Sequence, residues 1–303
     1  MIPDRSSLIS AVFVVGPTSV GKSEVALALA EKYDGEIVCA DAFQIYREFP
    51  GLSAQPSDAE WARVPHHLFG SVPCSEEMDA ARFAAEAMSV IESIVCRGRL
   101  PVVVGGSGLY LQALMAGLPQ LPSVDPAVRD SVRGMNLAEM LERLRELDPV
   151  SVASIDICNP RRVGRRLELC LAAGRPASEL LVKLPVPGEL RGVLLVRERQ
   201  DLRARIDTAV AARLSGGAIE EVRAVRKFAS ATARQILGWR EITACLDGSI
   251  ALQECREKLT QATRQYAKRQ LTWFRGKCTF PEENLSDVTP ASFDRLARLL
   301  GVS

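Results

Sequence analysis

The chain has 303 residues, 47% of them hydrophobic and 25% charged, and a net charge of +1. That balance belongs to a folded globular protein of one large or two ordinary domains and excludes extended disorder and a uniformly polycationic chain. No apolar stretch reads as a signal peptide or a membrane span, and the eight cysteines lie scattered without a C-x-x-C pair, so a cytoplasmic protein with reduced, mostly buried thiols and no zinc ribbon is expected.

The first element is an apolar β-branched run, Ala11 to Val15, followed at once by Gly16-Pro17-Thr18-Ser19-Val20-Gly21-Lys22-Ser23 and a helix-forming run, Glu24 to Lys32. The eight residues match the G-x-x-x-x-G-K-[ST] phosphate-binding loop. Strand, glycine turn and helix start aim backbone N–H groups and the positive end of the helix dipole at one point, where Lys22 adds a full charge. A polyphosphate is the natural occupant, with the Ser23 hydroxyl offered to Mg²⁺. A second buried strand, Glu36 to Ala40, ends at Asp41, whose carboxylate is either a general base above the loop or a cap for the next turn. His66 and His67 are the only histidines; being adjacent, they do not converge on one metal as an i, i+4 pair would.

Asp79 to Arg97 predicts an amphipathic helix that stops at Gly98, and Pro101 to Val104 a third strand. It runs into Gly105-Gly106-Ser107-Gly108, where some phosphate-loop ATPases carry a metal-binding aspartate that is missing here, which argues against ATP hydrolysis. The glycines suit either a second close backbone approach to a ligand or tight strand-to-helix packing. From about Leu118 the pattern becomes helical: a stripe of Leu137, Met140, Leu141, Leu144 and Leu147 ends at Asp148-Pro149, and Asn159-Pro160 opens a helix that Gly174 terminates. A fourth strand is expected at Val193 to Val196 and only helices after it. The last long helix starts near Ser249 with Leu252, Cys255, Leu259, Ala262, Tyr266 and Trp273 on its apolar side. The fold class is therefore α/β, a parallel sheet of the P-loop NTPase type flanked by helices, with residues 1–117 and 187–303 forming the core and 118–186 an all-helical insertion.

Charge is unevenly spread. Arg161, Arg162, Arg165 and Arg166 fall within six positions, and no acid lies between Glu257 and Glu282 while six cations do. Such clusters suit a phosphate-rich polymer or are solvated helix faces. The segment 263–275 interleaves cations with aromatics and amides, a mixture that serves phosphates and unstacked bases as well as amphipathic packing.

Seven segments in order, GPTSVGKS (16–23), DAFQIYR (41–47), VPHHL (64–68), LPVVVGGSGLYL (100–111), NPRRVGRRLE (159–168), LGWRE (237–241) and TRQYAKRQLTWFR (263–275), resemble the tRNA dimethylallyltransferase (tRNA isopentenyltransferase) family of bacterial type nearly end to end. The resemblance implies transfer of a dimethylallyl group from dimethylallyl diphosphate to the exocyclic nitrogen of the adenosine 3′ of the anticodon, by a monomeric enzyme that grips the tRNA anticodon arm and needs Mg²⁺ but no membrane. It further implies that Asp41 is the base and that Thr18, Gly21, Lys22 and Ser23 grip the diphosphate within the loop. Ser107 would sit beside the reaction centre and Arg234 on the leaving group. Asp41, Ala42, Phe43 and Gln44, Arg129, the run Arg161, Arg162, Val163, Gly164 and Arg165, Ser107, and Arg264, Lys268 and Arg269 would meet tRNA. Two positions depart from the family pattern: Ala42 replaces a serine and Gln55 a lysine. The alternatives are a small-molecule or nucleotide kinase, which shares the loop and the carboxylate, and a non-catalytic RNA-binding module.

Overall fold

The computed structural model describes residues 6–182, 184, 189–286 and 290–302. It divides into two compact units, Met1–Ala116 with Val186–Ser303, and Gly117–Pro185. The junction expected at 186–187 falls outside the described residues.

The first unit is built on one sheet of six strands, β1 (Val12–Val15), β2 (Gly35–Cys39), β3 (His66–His67), β4 (Leu100–Gly105), β5 (Arg191–Val196) and β6 (Glu282–Asn284). Their spatial order is β3-β2-β4-β1-β5-β6, and every pairing is parallel. β1 is buried along its whole length, as a strand covered by helices on both faces must be. Val12 and Val14 share a core with Val25, Ala26 and Leu29 of the helix Lys22–Lys32. Phe13 points to the other face and stacks on Phe280, ring centroids 5.8 Å apart. The chain leaves β1 toward β2 and β4 on one side and returns later as β5 on the other. The strand order therefore reverses at β1, and the carboxyl end of that strand is where an open parallel sheet leaves a crevice.

Three expectations need correction. The segment after β5 is not wholly helical: β6 pairs with β5, Leu194 opposite Glu282, and Glu282 and Glu283 gave no apolar signal over three residues. The long helix runs Leu252–Lys277, but its buried row is Cys255, Leu259, Thr263, Ala267, Gln270 and Phe274. Leu252 is 55% exposed, while Ala262, Tyr266 and Trp273 are half-buried. Counting only apolar residues rotated the stripe, because two of the inward positions carry polar side chains. Burial of the thiols is also less general than expected, since Cys39, Cys74, Cys170 and Cys255 are buried but Cys96 and Cys158 are exposed.

The two histidines turn to different partners. His66 Nδ1 meets the Val64 carbonyl at 2.9 Å, and His67 Nε2 meets the Glu36 carboxylate at 2.6 Å. Glu36, only 2% exposed, also accepts from Arg97 and Arg99. Burial pushes its pKa up, but hydrogen bonds from Arg97 and His67 outweigh it and hold the carboxyl below its usual range.

The second unit is helical and has its own core, in which Val132, Met140, Leu144, Val163 and Leu167 are buried together. Asn136 caps the helix Leu137–Leu147 in a reciprocal box with Glu139, and Asn159 caps Pro160–Ala173, which ends at Gly174 with φ +65°. Asp148 is fully buried and accepts four hydrogen bonds, from the backbone N–H and hydroxyl of Ser151 and of Ser178. One carboxylate thus joins two short helix starts, Pro149–Ser154 and Ala177–Leu180.

In the sheet, β4 passes β2 so closely at Gly105 that an added Cβ would lie 2.1 Å from the Ala40 carbonyl oxygen. Gly276, on the long helix, has open space around it. Gly105→Ala is expected to destabilise the protein by about 3 kcal/mol in urea unfolding, and Gly276→Ala to be neutral or stabilising by up to about 1 kcal/mol. Equal midpoints for the two variants would contradict this reading of the β2–β4 contact.

Candidate active site

The phosphate loop leaves β1 through Gly16 at φ +152°, passes Ser19 at φ +63° and enters the helix through Gly21 at φ +108°. Two arginines hold its outer side: Arg205 Nε donates to the Ser19 carbonyl at 3.0 Å and Arg197 Nε to the Val20 carbonyl at 2.7 Å. In a trans peptide the next N–H points the opposite way, so the Val20 and Gly21 N–H groups are turned away from the guanidiniums. Each arginine is itself fixed, Arg205 by Glu24 and Arg197 by Asp201 and the Leu285 carbonyl. Lys22 Nζ donates to the Pro17 carbonyl at 2.8 Å, which folds its ammonium back over the loop.

A cavity of about 560 Å³ opens on this loop and is lined by Lys22, Ser23, Asp41, Gln44, Arg205 and Arg213, among others. Burial pulls the Lys22 ammonium down to about 8; the Asp41 carboxylate opposes that and Arg213 adds to it. Arg213 is also pulled down, by burial, with Asp41 opposing. Its Nε and the Ser19 hydroxyl are buried polar atoms without a hydrogen-bond partner. Orphaned donors beside two cations are what a site for a multiply charged anion requires, since each unsatisfied buried group costs about 1–3 kcal/mol until a ligand pairs it.

Asp41 takes both positions that the sequence allowed. Its Oδ1 accepts from Phe43 N–H at 3.0 Å, capping the turn, while the carboxylate lines the cavity. Ser107, 8% exposed, accepts from Ala42 N–H at 2.8 Å and so fixes the residue after Asp41. The Gly105–Gly108 segment packs against protein: Cβ atoms at 106 and 108 would strike the Gln270 amide and the Trp273 indole. The Phe43 ring lies 5.6 Å from that of Tyr266, which carries Arg269 5.8 Å from its centroid. Burial, then the Asp41 charge, pushes the Tyr266 phenol up, while hydrogen bonds with Ser107 and Gln270 pull the other way. Gln44 Nε2 donates to the Ala54 carbonyl at 2.5 Å, and Gln55 donates to the Tyr46 carbonyl at 2.7 Å.

The remaining predicted residues are dispersed. Arg234 is exposed, donates to the Arg226 carbonyl and does not line the cavity, where Arg205 and Arg213 are the arginines beside Lys22. Arg129, Arg161, Arg162 and Arg165 lie exposed on two helices of the second unit, Arg165 paired with Glu168. Val163 and Gly164 face that unit's core, the residues between the arginines falling on the inward side of the helix. Arg264, Lys268 and Arg269 are exposed, and Arg264 is bonded to both oxygens of Asp207. Arg197, Arg205, Arg213 and Gln270 were not foreseen. Arg205 and Arg213 are eight residues apart on the helix after β5, Arg199–Ser215, with the small residues Thr208, Ala209 and Ala212 between them, a one-face spacing that could have pointed to them.

A family model described as "IPP transferase" matches residues 44–277. A tRNA dimethylallyltransferase of Akkermansia muciniphila is 41% identical over 264 residues, covering 87% of this chain and 90% of that protein. One of Parvibaculum lavamentivorans is 42% identical over 274 residues, covering 88% and 87%. Among solved structures, the tRNA isopentenylpyrophosphate transferase of Bacillus halodurans matches with a TM-score of 0.70 at 31% identity over 96% of each chain. A eukaryotic dimethylallyltransferase captured acting on tRNA matches with a TM-score of 0.77 at 26% identity, over 95% of this chain and 77% of that one. With the loop, the aspartate and the sheet in the arrangement described, and relatives above 40% identity over most of its length, the chain belongs to the IPP transferase family.

Proposed function

We propose that the chain transfers a dimethylallyl group from dimethylallyl diphosphate to the exocyclic N6 of the adenosine at tRNA position 37, 3′ of the anticodon, releasing diphosphate. Tertiary placement of a cationic phosphate loop and a carboxylate in one cavity carries this reading. Lys22, Arg213 and the loop N–H groups hold the diphosphate, and Asp41 holds the amine. As the allylic C–O bond breaks, its electron pair goes to the diphosphate oxygen and positive charge develops on carbon. Cations set on the leaving oxygens stabilise that transition state. The amine nitrogen forms the new C–N bond and passes its proton to Asp41.

Ser23 and Asp41 both line the cavity, and among the described residues no cluster of three or more His, Cys, Asp or Glu forms a metal cage. That donor set fits Mg²⁺, which binds through few protein oxygens plus phosphate and water; held by Ser23, it would neutralise leaving-group charge. An adenosine in a stacked loop must be flipped to reach Asp41. Arg129, Arg161, Arg162 and Arg165, with Lys268 and Arg269, supply phosphate contacts to the anticodon arm, as exposed cations do. No described helix is long and apolar enough to cross a membrane, and the enzyme is assigned to the cytoplasm as a monomer on this reading.

Asp41→Asn is expected to bind donor and tRNA normally while single-turnover transfer falls about a hundredfold or more; unchanged transfer would remove Asp41 from the mechanism. Arg213→Gln should weaken dimethylallyl diphosphate binding by about ten- to a hundredfold in calorimetry, and Arg234→Gln far less. The reverse ranking would return the leaving-group cation to Arg234. Because the Lys22 ammonium titrates near pH 8 and the diphosphate is already fully ionised there, the donor Kd should rise about tenfold per pH unit above that point. Lys22→Arg should abolish that limb, and a flat profile in the parent enzyme would show that Lys22 carries its charge throughout.

A further inference from the structure

Gln270 lies on the inward row of the helix Leu252–Lys277, 6% exposed, and none of the chemistry above uses it. Its Oε1 accepts from the Thr18 N–H of the phosphate loop at 2.8 Å, and its Nε2 donates to the Gly106 carbonyl at 2.9 Å. Gly106 must lack a side chain for this, since a Cβ there would lie 2.4 Å from Nε2. The next residue, Ser107, accepts from Ala42 N–H, and Ala42 follows Asp41. One buried amide therefore joins the loop to the segment that fixes the carboxylate.

We infer that Gln270 is a positioning residue that sets the distance between the phosphate loop and Asp41, and hence between leaving group and acceptor. The inference rests on the function proposed above. The chemistry requires an amide: the loop offers a donor and the glycine segment an acceptor, so a group that only accepts or only donates leaves one buried backbone atom unpaired. Misplacement by about 1 Å is enough to cost a hundredfold in rate while leaving ground-state contacts intact.

Two variants test this. Gln270→Met keeps the volume and removes both backbone bonds together with the hydrogen bond to Tyr266; single-turnover transfer is expected to fall at least tenfold, with the Kd values for dimethylallyl diphosphate and an anticodon stem-loop within about threefold of the parent. Gln270→Glu restores the bonding pattern only when protonated, its C=O accepting from Thr18 and its O–H donating to Gly106. Its rate relative to the parent should climb as pH falls from 8 to 6, a signature that loss of packing would not produce. A Met variant within threefold of the parent rate, or a Glu variant whose relative rate is flat with pH, overturns the role. Amide hydrogen exchange at Thr18 tests the latch apart from transfer: at least tenfold faster exchange in Gln270→Met supports it, and unchanged exchange overturns it. If the parent protein transfers no prenyl group, the function fails, and the latch is judged on Thr18 exchange alone.

Discussion

Everything at this site depends on keeping a short backbone segment in a conformation that it would not hold alone. Ser19 is a non-glycine residue at positive φ, and it is flanked by glycines that accept still larger positive angles. Unrestrained, such a turn relaxes at a gain of about 1–3 kcal/mol. Here Arg197 and Arg205 take two of its carbonyls, each guanidinium being anchored by a carboxylate, and Gln270 takes an N–H from the other direction. The strain is over-determined from the end of β5, from the helix Arg199–Ser215 that follows it and from the long helix Leu252–Lys277.

The same cage sets the electrostatics. Arg197 and Arg205 spend their charge on loop carbonyls and on Asp201 and Glu24, so they add little net potential. Lys22 and Arg213 are the cations left to the cavity, and burial weakens the hold of each on its proton. A site that raises the free energy of its own charges binds a compensating anion more strongly than a solvated pair of cations would. Asp41 moderates this, and its capping bond to Phe43 keeps one carboxylate oxygen turned toward the backbone.

The second unit solves a different problem. Five helices among its described residues share a core of modest size, and their ends are closed by Asn136, Asn159 and the four-bonded Asp148. With the ends satisfied internally, arginines can occupy the solvent side of Pro160–Ala173 while Val163 and Leu167 hold the other. The cluster of like charge at its start is thus borne by a helix that does not rely on those residues for stability.

Residues close in sequence made much of this legible. The glycine loop between strand and helix, the aspartate at the end of β2, the caps at Asn159 and Gly174 and the four longer strands are local patterns whose spacing follows from backbone geometry, and the ordered motifs led to the family. What depends on contacts between distant positions was not legible. Arg213 rather than Arg234 reaches the cavity because the helix after β5 crosses the loop; Gln270 meets Thr18 across 252 positions, and a polar residue in a buried row disguises the inward face of its helix. The edge strands β3 and β6 are too short for any period to register, and they exist only because β2 and β5 offer open hydrogen-bonding edges. Local chemistry is written into neighbouring residues, whereas a partner for a buried polar atom is chosen only when the chain has closed around it.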